Sequence, residues 1–303
     1  MRVFMTGASG HIASAVIPEL LGAGHEVVGL ARSDESAAAV ETRGAKVHRG
    51  SLDDLGSLQD AVAASDGVIH LAFKHDDMQA GNFGAAIEAD LRAKQAMGEA
   101  LAGTGKPFVG VSGTLSLVLG GHQGTATEAD TPGTGLQADG ENAVIALAAH
   151  GVRSSVVRLP PTVHSSLDRS GYVPALIGIA RANRRAGYLG DGSNRWPAVH
   201  TLDAARLFRL AVEEAPAGSR LHGVADEGVP FREIAGTIGR HLGVPAVSIP
   251  ADEVEGYFGF LAMFVALDNP ASSALTRQLL GWQPEHPGLL DDLNQGHYFQ
   301  NGS

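Results

Sequence analysis

The stretch at residues 3–16, VFMTGASGHIASAV, constrains the fold more than any other part of the chain. Its apolar start, Val3–Met5, contains no proline and is typical of a strand that is buried on both faces. The glycine turn at residues 6–10, TGASG, comes next, and apolar residues from Ile12 to Leu20 then have helical spacing. A strand, a glycine turn and a helix in this order predict a unit whose helix start binds phosphate through free backbone N–H groups.

The glycine spacing in this turn predicts the kind of phosphate compound. Gly7 lets the chain close the turn, and Gly10 lets a pyrophosphate approach the backbone. The spacing G-x-x-G-x-x-A puts Ala13 where a third glycine commonly stands, and alanine is still small enough for close packing of helix on strand. The alternative is a strand–helix turn that binds nothing. The residues of this unit predicted to contact a dinucleotide are Gly7, Ser9, Gly10, His11 and Ile12.

The composition favours a protein that acts on a small molecule. A chain of 303 residues with 44% hydrophobic residues can form a large α/β core. A net charge of −11 argues against nucleic acid or anionic membranes as partners, since both need clustered cations. The absence of cysteine excludes disulfides and thiolate chemistry, and the scattered histidines predict no metal site. Without a signal peptide or a membrane-length apolar run, the chain is expected to be cytoplasmic.

Strand-like and helix-like segments alternate in the first half of the chain, which predicts an α/β fold with a doubly wound parallel sheet of the Rossmann type. The strands are predicted at 3–5, 25–30, 45–48, 67–72, 108–111 and 154–159. The main helices are predicted at 11–23, 35–43, 55–64, 82–102, 141–150, 173–184, 203–214 and 231–242, with loops at 120–140 and 187–200.

The alternation becomes irregular after the sixth predicted strand. We therefore predict a cofactor-binding domain at residues 1–165 and a smaller, mainly substrate-binding lobe at 166–303. Segments at about 195–225 are expected to interleave with the first domain, so that no clean boundary separates the two parts.

The residues after the second predicted strand indicate which dinucleotide binds. In a dinucleotide fold this position meets the adenosine ribose, and a carboxylate here would repel a 2′-phosphate. The chain instead has Arg32 and Ser33, a cation and a hydroxyl that suit a phosphate, while Asp34 and Glu35 come slightly later. This pattern predicts NADP(H) as the preferred cofactor, with NAD(H) possible; the alternative is an ordinary surface arginine.

Two further segments are expected to contact the cofactor. The loop RGSLDD after the third strand is predicted to frame the adenine ring through Ser51 and Leu52. The end of the fourth strand should lie beside the nicotinamide ribose if the sheet is doubly wound. The residues at this second position are Ala72, Phe73 and Lys74.

Seven motifs in order along the chain resemble the short-chain dehydrogenase/reductase superfamily in its extended form, typified by NAD(P)-dependent epimerases and dehydratases. They are TGASGHI, RGSLDD, VIHLA, VSGT, VVRLPPTV, GDG…VHTLDAARL and LLGWQP. The resemblance implies a six- or seven-stranded Rossmann domain with a small C-terminal substrate lobe. It also implies a homodimer packed through the long helices at 82–102 and 141–150.

The chain departs from this family at the residues that carry its proton chemistry. Family members use a Tyr-x-x-x-Lys pair on the helix before the sixth strand, where lysine lowers the tyrosine pKa and holds the ribose. That pair would fall near Gly133 and Gln137, and none of the four tyrosines of this chain has a lysine four residues later. The usual mechanism therefore does not transfer to this chain.

Other positions of the family pattern are present. The resemblance implies that Thr114, with Ser112 nearby, polarises a substrate carbonyl. It also implies that Pro161, Thr162 and Val163 hold the nicotinamide carboxamide through backbone contacts. The alternative for the two hydroxyls is a strand end that bonds only to backbone.

Four residues near the expected substrate cleft could replace the missing tyrosine as proton donor: His164, Tyr172, Trp196 and His200. We rank His164 and Tyr172 first. A histidine or tryptophan in such a loop is more often a packing residue, and His200 is expected to cap or orient the helix that follows it.

These features predict an NADP(H)-dependent oxidoreductase that reduces a carbonyl or oxidises a hydroxyl of a small molecule. One alternative is a non-catalytic NADP(H) sensor that regulates a partner, which the missing Tyr and Lys favour. A second is an epimerase or dehydratase with a tightly held cofactor. A serine hydrolase is disfavoured because the segment GVSGT at 110–114 only approaches the nucleophile-elbow pattern.

Overall fold

The strands form one large sheet and two small ones in a computed structural model that describes residues 1–74, 82–133 and 136–300. In chain order they are β1 (Arg2–Thr6), β2 (Glu26–Ala31), β3 (Lys46–Arg49), β4 (Gly67–His70), β5 (Pro107–Gly113), β6 (Arg153–Leu159), β7 (Thr162–His164), β8 (Ala186–Leu189), β9 (Arg195–His200), β10 (Ser219–His222), β11 (Asp226–Pro230) and β12 (Ala246–Ile249).

The large sheet has seven parallel strands in the order β10-β6-β5-β4-β1-β2-β3. The chain therefore winds outward from β1 in both directions, which confirms the predicted doubly wound α/β fold. The order reverses between β1 and β4, where Thr6 pairs with His70. Ligands of such folds bind outside the carboxyl ends of the strands at this switch point.

The helices pack on both faces of this sheet and build the C-terminal lobe. They are α1 (His11–Gly22), α2 (Asp34–Thr42), α3 (Leu55–Ala63), α4 (Phe83–Leu101), α5 (Leu115–Leu119), α6 (Leu136–Ala146), α7 (Tyr172–Asn183), α8 (Thr201–Glu214), α9 (Phe231–Leu242), α10 (Val254–Phe258), α11 (Ala262–Val265), α12 (Ala274–Leu280) and α13 (Leu289–Asn294).

Two apolar layers hold the sheet between helices. On one face α1 packs against α8, which buries Leu207, Phe208 and Ala211 because these residues recur at helical spacing. On the other face α3, α4 and α6 cover Phe4 and Phe108 of the sheet. Burial on both faces explains why the central strands are continuous apolar runs.

A separate core lies in the C-terminal lobe. Strand β9 pairs with β7 and β11, and β8 pairs with β12. Trp196, Phe231 and Phe258 are fully buried between these strands and helices α7 and α9. Strand β10 follows β8 and β9 in the chain but belongs to the large sheet. The division into 1–165 and 166–303 stays a prediction.

One loop prediction was wrong, and a second extended too far. Residues 187–200 contain β9 and most of β8, whose pairing partners β7 and β12 lie far away in sequence. The glycines and the proline in this stretch concealed both strands. In the predicted loop at 120–140, α6 already begins at Leu136, and α5 precedes the loop; residues 134–135 lie outside the described residues.

The long helix α4 lies between the sheet and solvent. Its small and apolar residues Ala86, Ala89, Ala93, Ala96 and Met97 are buried within the protomer. Its outer face carries the ion pair between Glu88 and Arg92, whose nitrogen and oxygen are 2.9 Å apart. The dimer through this helix stays a prediction. In the described part of the chain, no helix combines the length and the apolar composition that spanning a bilayer requires.

Candidate active site

The glycine turn after β1 is held tightly against the end of β4. Gly7 has a φ of +67°, and a Cβ at this residue would lie 2.7 Å from the backbone nitrogen of Ala72. The Gly10 N–H donates to the Gly7 carbonyl over 2.9 Å, and α1 begins at the next residue, His11. Only glycine combines this φ with so close an approach, so the turn places the start of α1 at the switch point.

The start of α1 has the properties of an anion site. Ser9 and Gly10 are exposed, and a Cβ at Gly10 would meet only the Gly7 carbonyl, at 3.2 Å, so space remains above the turn. The first turn of α1 contains no acidic residue, and no side chain caps it. Its free N–H groups can therefore bind a pyrophosphate, and the residues present fit a dinucleotide.

The two residues after Gly10 contribute in different ways. The side chain of His11 is hydrogen-bonded through Nε2 to Thr201 Oγ1 at 3.1 Å, and its Nδ1 lies 3.8 Å from Asp168 Oδ1. Burial lowers the pKa of His11, against the charge of Asp168. The side chain of Ile12 packs against the core. Only the backbone of these residues is therefore available to a phosphate.

The end of β2 presents a cation where the adenosine ribose is expected. Arg32 is exposed, directly after the strand. Ser33 is also exposed, and its hydroxyl caps α2 by accepting from the Ser36 N–H. Asp34, the nearest carboxylate, is already paired with Arg49 at 2.6 Å. This exposed ion pair offsets part of the negative charge of Asp34.

The predicted adenine loop and the end of β4 are joined by an ion pair. Lys74 Nζ donates to both carboxylate oxygens of Asp53 at 2.8 Å, which links the residues after β4 to those after β3. Leu52 is buried, whereas Ser51, Ala72 and Phe73 are half-buried along the same edge. The structure thus brings these predicted cofactor residues together, although Lys74 is engaged by Asp53.

A buried chain of hydrogen bonds supports this edge from below. The Thr6 hydroxyl lies 2.7 Å from His70 Nδ1, His70 Nε2 lies 2.9 Å from Asp90 Oδ1, and Lys94 Nζ donates to Asp90 Oδ2 at 2.6 Å. Burial lowers the pKa of His70 despite the neighbouring carboxylate. A neutral His70 can accept the Thr6 proton and donate to Asp90. The chain ties β1, β4 and α4 together, and sequence reasoning missed Asp90 and Lys94.

The predicted hydroxyls follow β5. Ser112 is half-buried near the end of β5. Thr114 is fully buried, and the side-chain amide of Asn269 donates to its hydroxyl oxygen at 2.9 Å. The Oδ1 atom of Asn269 is buried without a hydrogen-bond partner among the described residues. No spacing or motif could have revealed Asn269, because it reaches Thr114 only through the fold.

The segment after β6 is rigid and partly open. Pro161 and Val163 are half-buried at the carboxyl edge of the sheet. Thr162 between them is buried, and its hydroxyl donates to the Pro197 carbonyl of β9 at 2.6 Å. This bond and the pairing of β7 with β9 fix the backbone that the family resemblance assigns to the carboxamide.

The two preferred proton donors lie in different surroundings. His164 is fully buried, its Nδ1 is 2.9 Å from Asp292 Oδ2, and its Nε2 has no partner among the described residues. Tyr172 is half-buried and stacks against Phe264 with ring centres 5.9 Å apart; burial raises its pKa. The structure does not bring these two side chains together with Thr114 through any contact among the described residues.

The other two candidates have structural roles. His200 accepts the Leu202 N–H through Nδ1 at 3.3 Å, which confirms that it caps α8. Trp196 is fully buried against Phe231. At the family's Tyr-x-x-x-Lys positions, Gly133 is exposed and Gln137 lies in the first turn of α6, its side chain outside the described residues.

Comparison with known proteins identifies relatives over the full length of the chain. A family model described as the NAD dependent epimerase/dehydratase family matches residues 3–222 and confirms the resemblance seen in the motifs. An uncharacterized protein of Schizosaccharomyces pombe, C2A9.02, is 46% identical over 300 residues, which cover 99% of this chain and 100% of that protein.

More distant proteins share the fold. A sterol-4-alpha-carboxylate 3-dehydrogenase (decarboxylating) of Dictyostelium discoideum is 26% identical over 77% of this chain and 74% of its own. Among solved structures, a dTDP-glucose 4,6-dehydratase from Streptomyces venezuelae with NAD and TYD bound is 20% identical, with a TM-score of 0.77. That alignment covers 99% of this chain and 98% of the other.

Proposed function

Because the chain belongs to the NAD dependent epimerase/dehydratase family, we propose that it is an NADP(H)-dependent oxidoreductase that interconverts a carbonyl and a hydroxyl group of a small molecule. The observation that carries this proposal is the uncapped start of α1 at the Gly7–Gly10 turn, beside the switch point of the sheet. In this proposal the turn binds the pyrophosphate, and the backbone of Pro161–Val163, fixed by the Thr162 hydrogen bond, binds the nicotinamide. A dinucleotide bound to both would span the switch point.

Bound NADP(H) supplies or accepts the hydride, and the chain binds and orients the reactants. The free N–H groups at the start of α1 hold the pyrophosphate, and Arg32 favours the 2′-phosphate. In this proposal the Thr114 hydroxyl donates to the substrate oxygen. Its oxygen already accepts from Asn269, which leaves its proton for another partner. Because Thr114 is fully buried, the segment that carries Asn269 has to move when substrate enters.

The proton is assigned to a water molecule, and Tyr172 is the more accessible of the two preferred side-chain donors. The Tyr172 phenol forms no hydrogen bond within the described part of the chain, and the side chain is half-buried, so it can be reached. His164 is fully buried, so the residues around it would have to move before it could reach a substrate. A tyrosine whose pKa is raised by burial is protonated at neutral pH and is a weak acid, which favours a modest contribution to the rate.

A second function, that of a non-catalytic NADP(H) sensor, is favoured by one observation. Thr114 and His164, two of the groups proposed for the chemistry, are both fully buried. A sensor needs binding sites for the phosphates and the nicotinamide but no accessible proton donor.

The two functions are separated by a turnover assay combined with a binding assay. Purified protein is mixed with NADPH and a panel of ketones and aldehydes, and the loss of NADPH absorbance is followed. Tight NADPH binding without turnover on every class of carbonyl would favour the sensor. Stronger binding of NADPH than of NADH is expected, and equal affinity would remove the role given to Arg32.

A variant series then tests the role of Thr114. Thr114→Val should lower kcat by roughly 10²-fold if the hydroxyl polarises the carbonyl, whereas Thr114→Ser should retain most of the rate. Thr42→Val, at the exposed end of α2, is the matched control and should keep the full rate. An unchanged rate in Thr114→Val would remove this residue from the mechanism.

A further inference from the structure

The side chain of Arg43 lies against the glycine turn. Arg43 directly follows α2, and its guanidinium donates to three consecutive carbonyls of the turn. Nη1 donates to Ala8 and to Gly10, the latter at 3.1 Å, and Nη2 donates to Ser9 at 2.9 Å. No sequence motif pointed to this residue, because the contact joins the end of one helix to the start of another.

The remaining hydrogen-bond donors of Arg43 lie on one edge of its guanidinium. Arginine has five N–H donors in a fixed plane. Two from Nη1 and one from Nη2 are used by the turn, and no other described residue accepts from Nε–H or from the second Nη2–H. These two donors are parallel and have the spacing that binds two oxygens of one phosphate or carboxylate.

The charge of Arg43 is not neutralised by an acid. Within residues 1–74, 82–133 and 136–300, Arg43 forms no ion pair, whereas the neighbouring Arg49 is paired with Asp34 at 2.6 Å. The positive charge also reaches the start of α1, since it contributes to the lowered pKa of His11. A half-buried cation that is held in place by carbonyls and lacks an acidic partner is suited to an anionic ligand.

The position of Arg43 selects the anion among the groups of a dinucleotide. The Nη2 atom of Arg43 contacts the backbone of Ser9 in the turn that follows β1. Because β1 and β2 are neighbouring parallel strands, this turn and Arg32 both lie at the carboxyl edge of the sheet. The ribose is expected at the end of β2. We propose that Arg43 is a second specificity-determining residue, which binds the 2′-phosphate of NADP(H) together with Arg32; this proposal rests on the cofactor preference given under Proposed function.

A purely structural role for Arg43 makes a different prediction. If the guanidinium only supports the turn, its loss weakens every dinucleotide equally, because NADH and NADPH share the pyrophosphate. If it binds the 2′-phosphate, the loss falls on NADPH alone.

The test measures dissociation constants of the intact protein by fluorescence titration and calorimetry. The probes are NADPH, NADH, adenosine 2′,5′-bisphosphate and 5′-AMP, so that the last pair reports on the 2′-phosphate without the nicotinamide. Arg43→Met should weaken NADPH and the 2′,5′-bisphosphate by about tenfold or more, as expected for loss of a charge-assisted pair. The dissociation constants of NADH and 5′-AMP should change by less than about threefold.

Three further variants make the result decisive. Arg43→Lys keeps the charge but loses the planar fork and should retain part of the NADPH preference. Arg43→Gln is neutral but can still donate to a turn carbonyl, so it separates charge from support if Arg43→Met unfolds. Arg92→Met, on the outer face of α4, is the matched control and should bind all four probes as the natural protein does.

The outcomes separate this proposal from the one on which it rests. If the natural protein prefers NADPH and Arg43→Met keeps that preference, the role of Arg43 is overturned and the proposed function stands. Equal weakening of NADPH and NADH binding in Arg43→Met also overturns that role and shows that Arg43 only supports the turn. If the natural protein shows no preference for NADPH, the proposed cofactor choice fails and the role of Arg43 fails with it.

Discussion

Replacing Gly7 by alanine tests whether the glycine turn is as tightly held as its geometry indicates. An alanine at φ +67° costs about 1–2 kcal/mol for the left-handed backbone alone. Its Cβ would also lie 2.7 Å from the backbone of Leu71 and Ala72, which are not flexible side-chain ends. Overpacking of this kind costs a further 1–3 kcal/mol or so, for a total of about 2–5 kcal/mol.

Gly24→Ala is the matched control for Gly7→Ala. Gly24 has a φ of +82° but no atom within 4 Å of the added Cβ, so only the backbone cost of about 1–2 kcal/mol applies. Urea unfolding followed by the fluorescence of buried Trp282, in the core beside β1, gives both free energies. Gly7→Ala should also abolish NADPH binding, whereas Gly24→Ala should not. Equal destabilisation by the two variants would refute the close contact with Ala72.

Three other expectations concern groups outside the turn. Arg158→Met should lower the free energy of unfolding by about 3–5 kcal/mol, because it leaves the buried carboxylate of Glu141 with one partner fewer. The double variant Arg158→Met/Glu141→Leu should regain most of this loss. Urea unfolding of the two single variants and the double variant measures both effects. Burial and, second, the charge of His164 lower the pKa of His200 from 6.5 to about 4. As the pH falls, His200 is therefore protonated in the unfolded chain before it is protonated in the folded protein. Stability should therefore fall by at most about 3 kcal/mol between pH 6.5 and 4, and a pH series in which His200→Gln shows the same decline would contradict this. Tyr172→Phe should change kcat by less than about tenfold, and a loss of about 10²-fold would instead make this phenol the proton donor.

Local patterns determined the parts of the fold that depend on near neighbours in the chain. The apolar run, the glycines and the helical spacing of residues 3–16 predicted β1, the turn and α1 because each depends on backbone preferences within a few residues. Helix α9 was predicted at the same bounds, 231–242, since its apolar face has a clear helical period. The doubly wound order followed from the alternation of these elements.

Pairing between distant segments was not visible in the sequence. Strands β8 and β9 lie in a stretch rich in glycine that predicted a loop, and they are stable only because β12, β7 and β11 pair with them. The sequence did indicate that the usual Tyr-x-x-x-Lys pair is missing, because that motif is local. The contact of Asn269 with Thr114 could not be predicted, since Asn269 lies in the C-terminal part of the chain.

The phosphate turn shows both sides of this division. By itself the sequence predicted the tight glycine turn at Gly7 and Gly10, because their spacing sets the backbone shape. Only the tertiary structure decided that Arg43 contacts this turn and that Asp34 is engaged by Arg49. Those contacts join residues from different elements, and the electrostatic surroundings of a site depend on which charges the whole fold brings together.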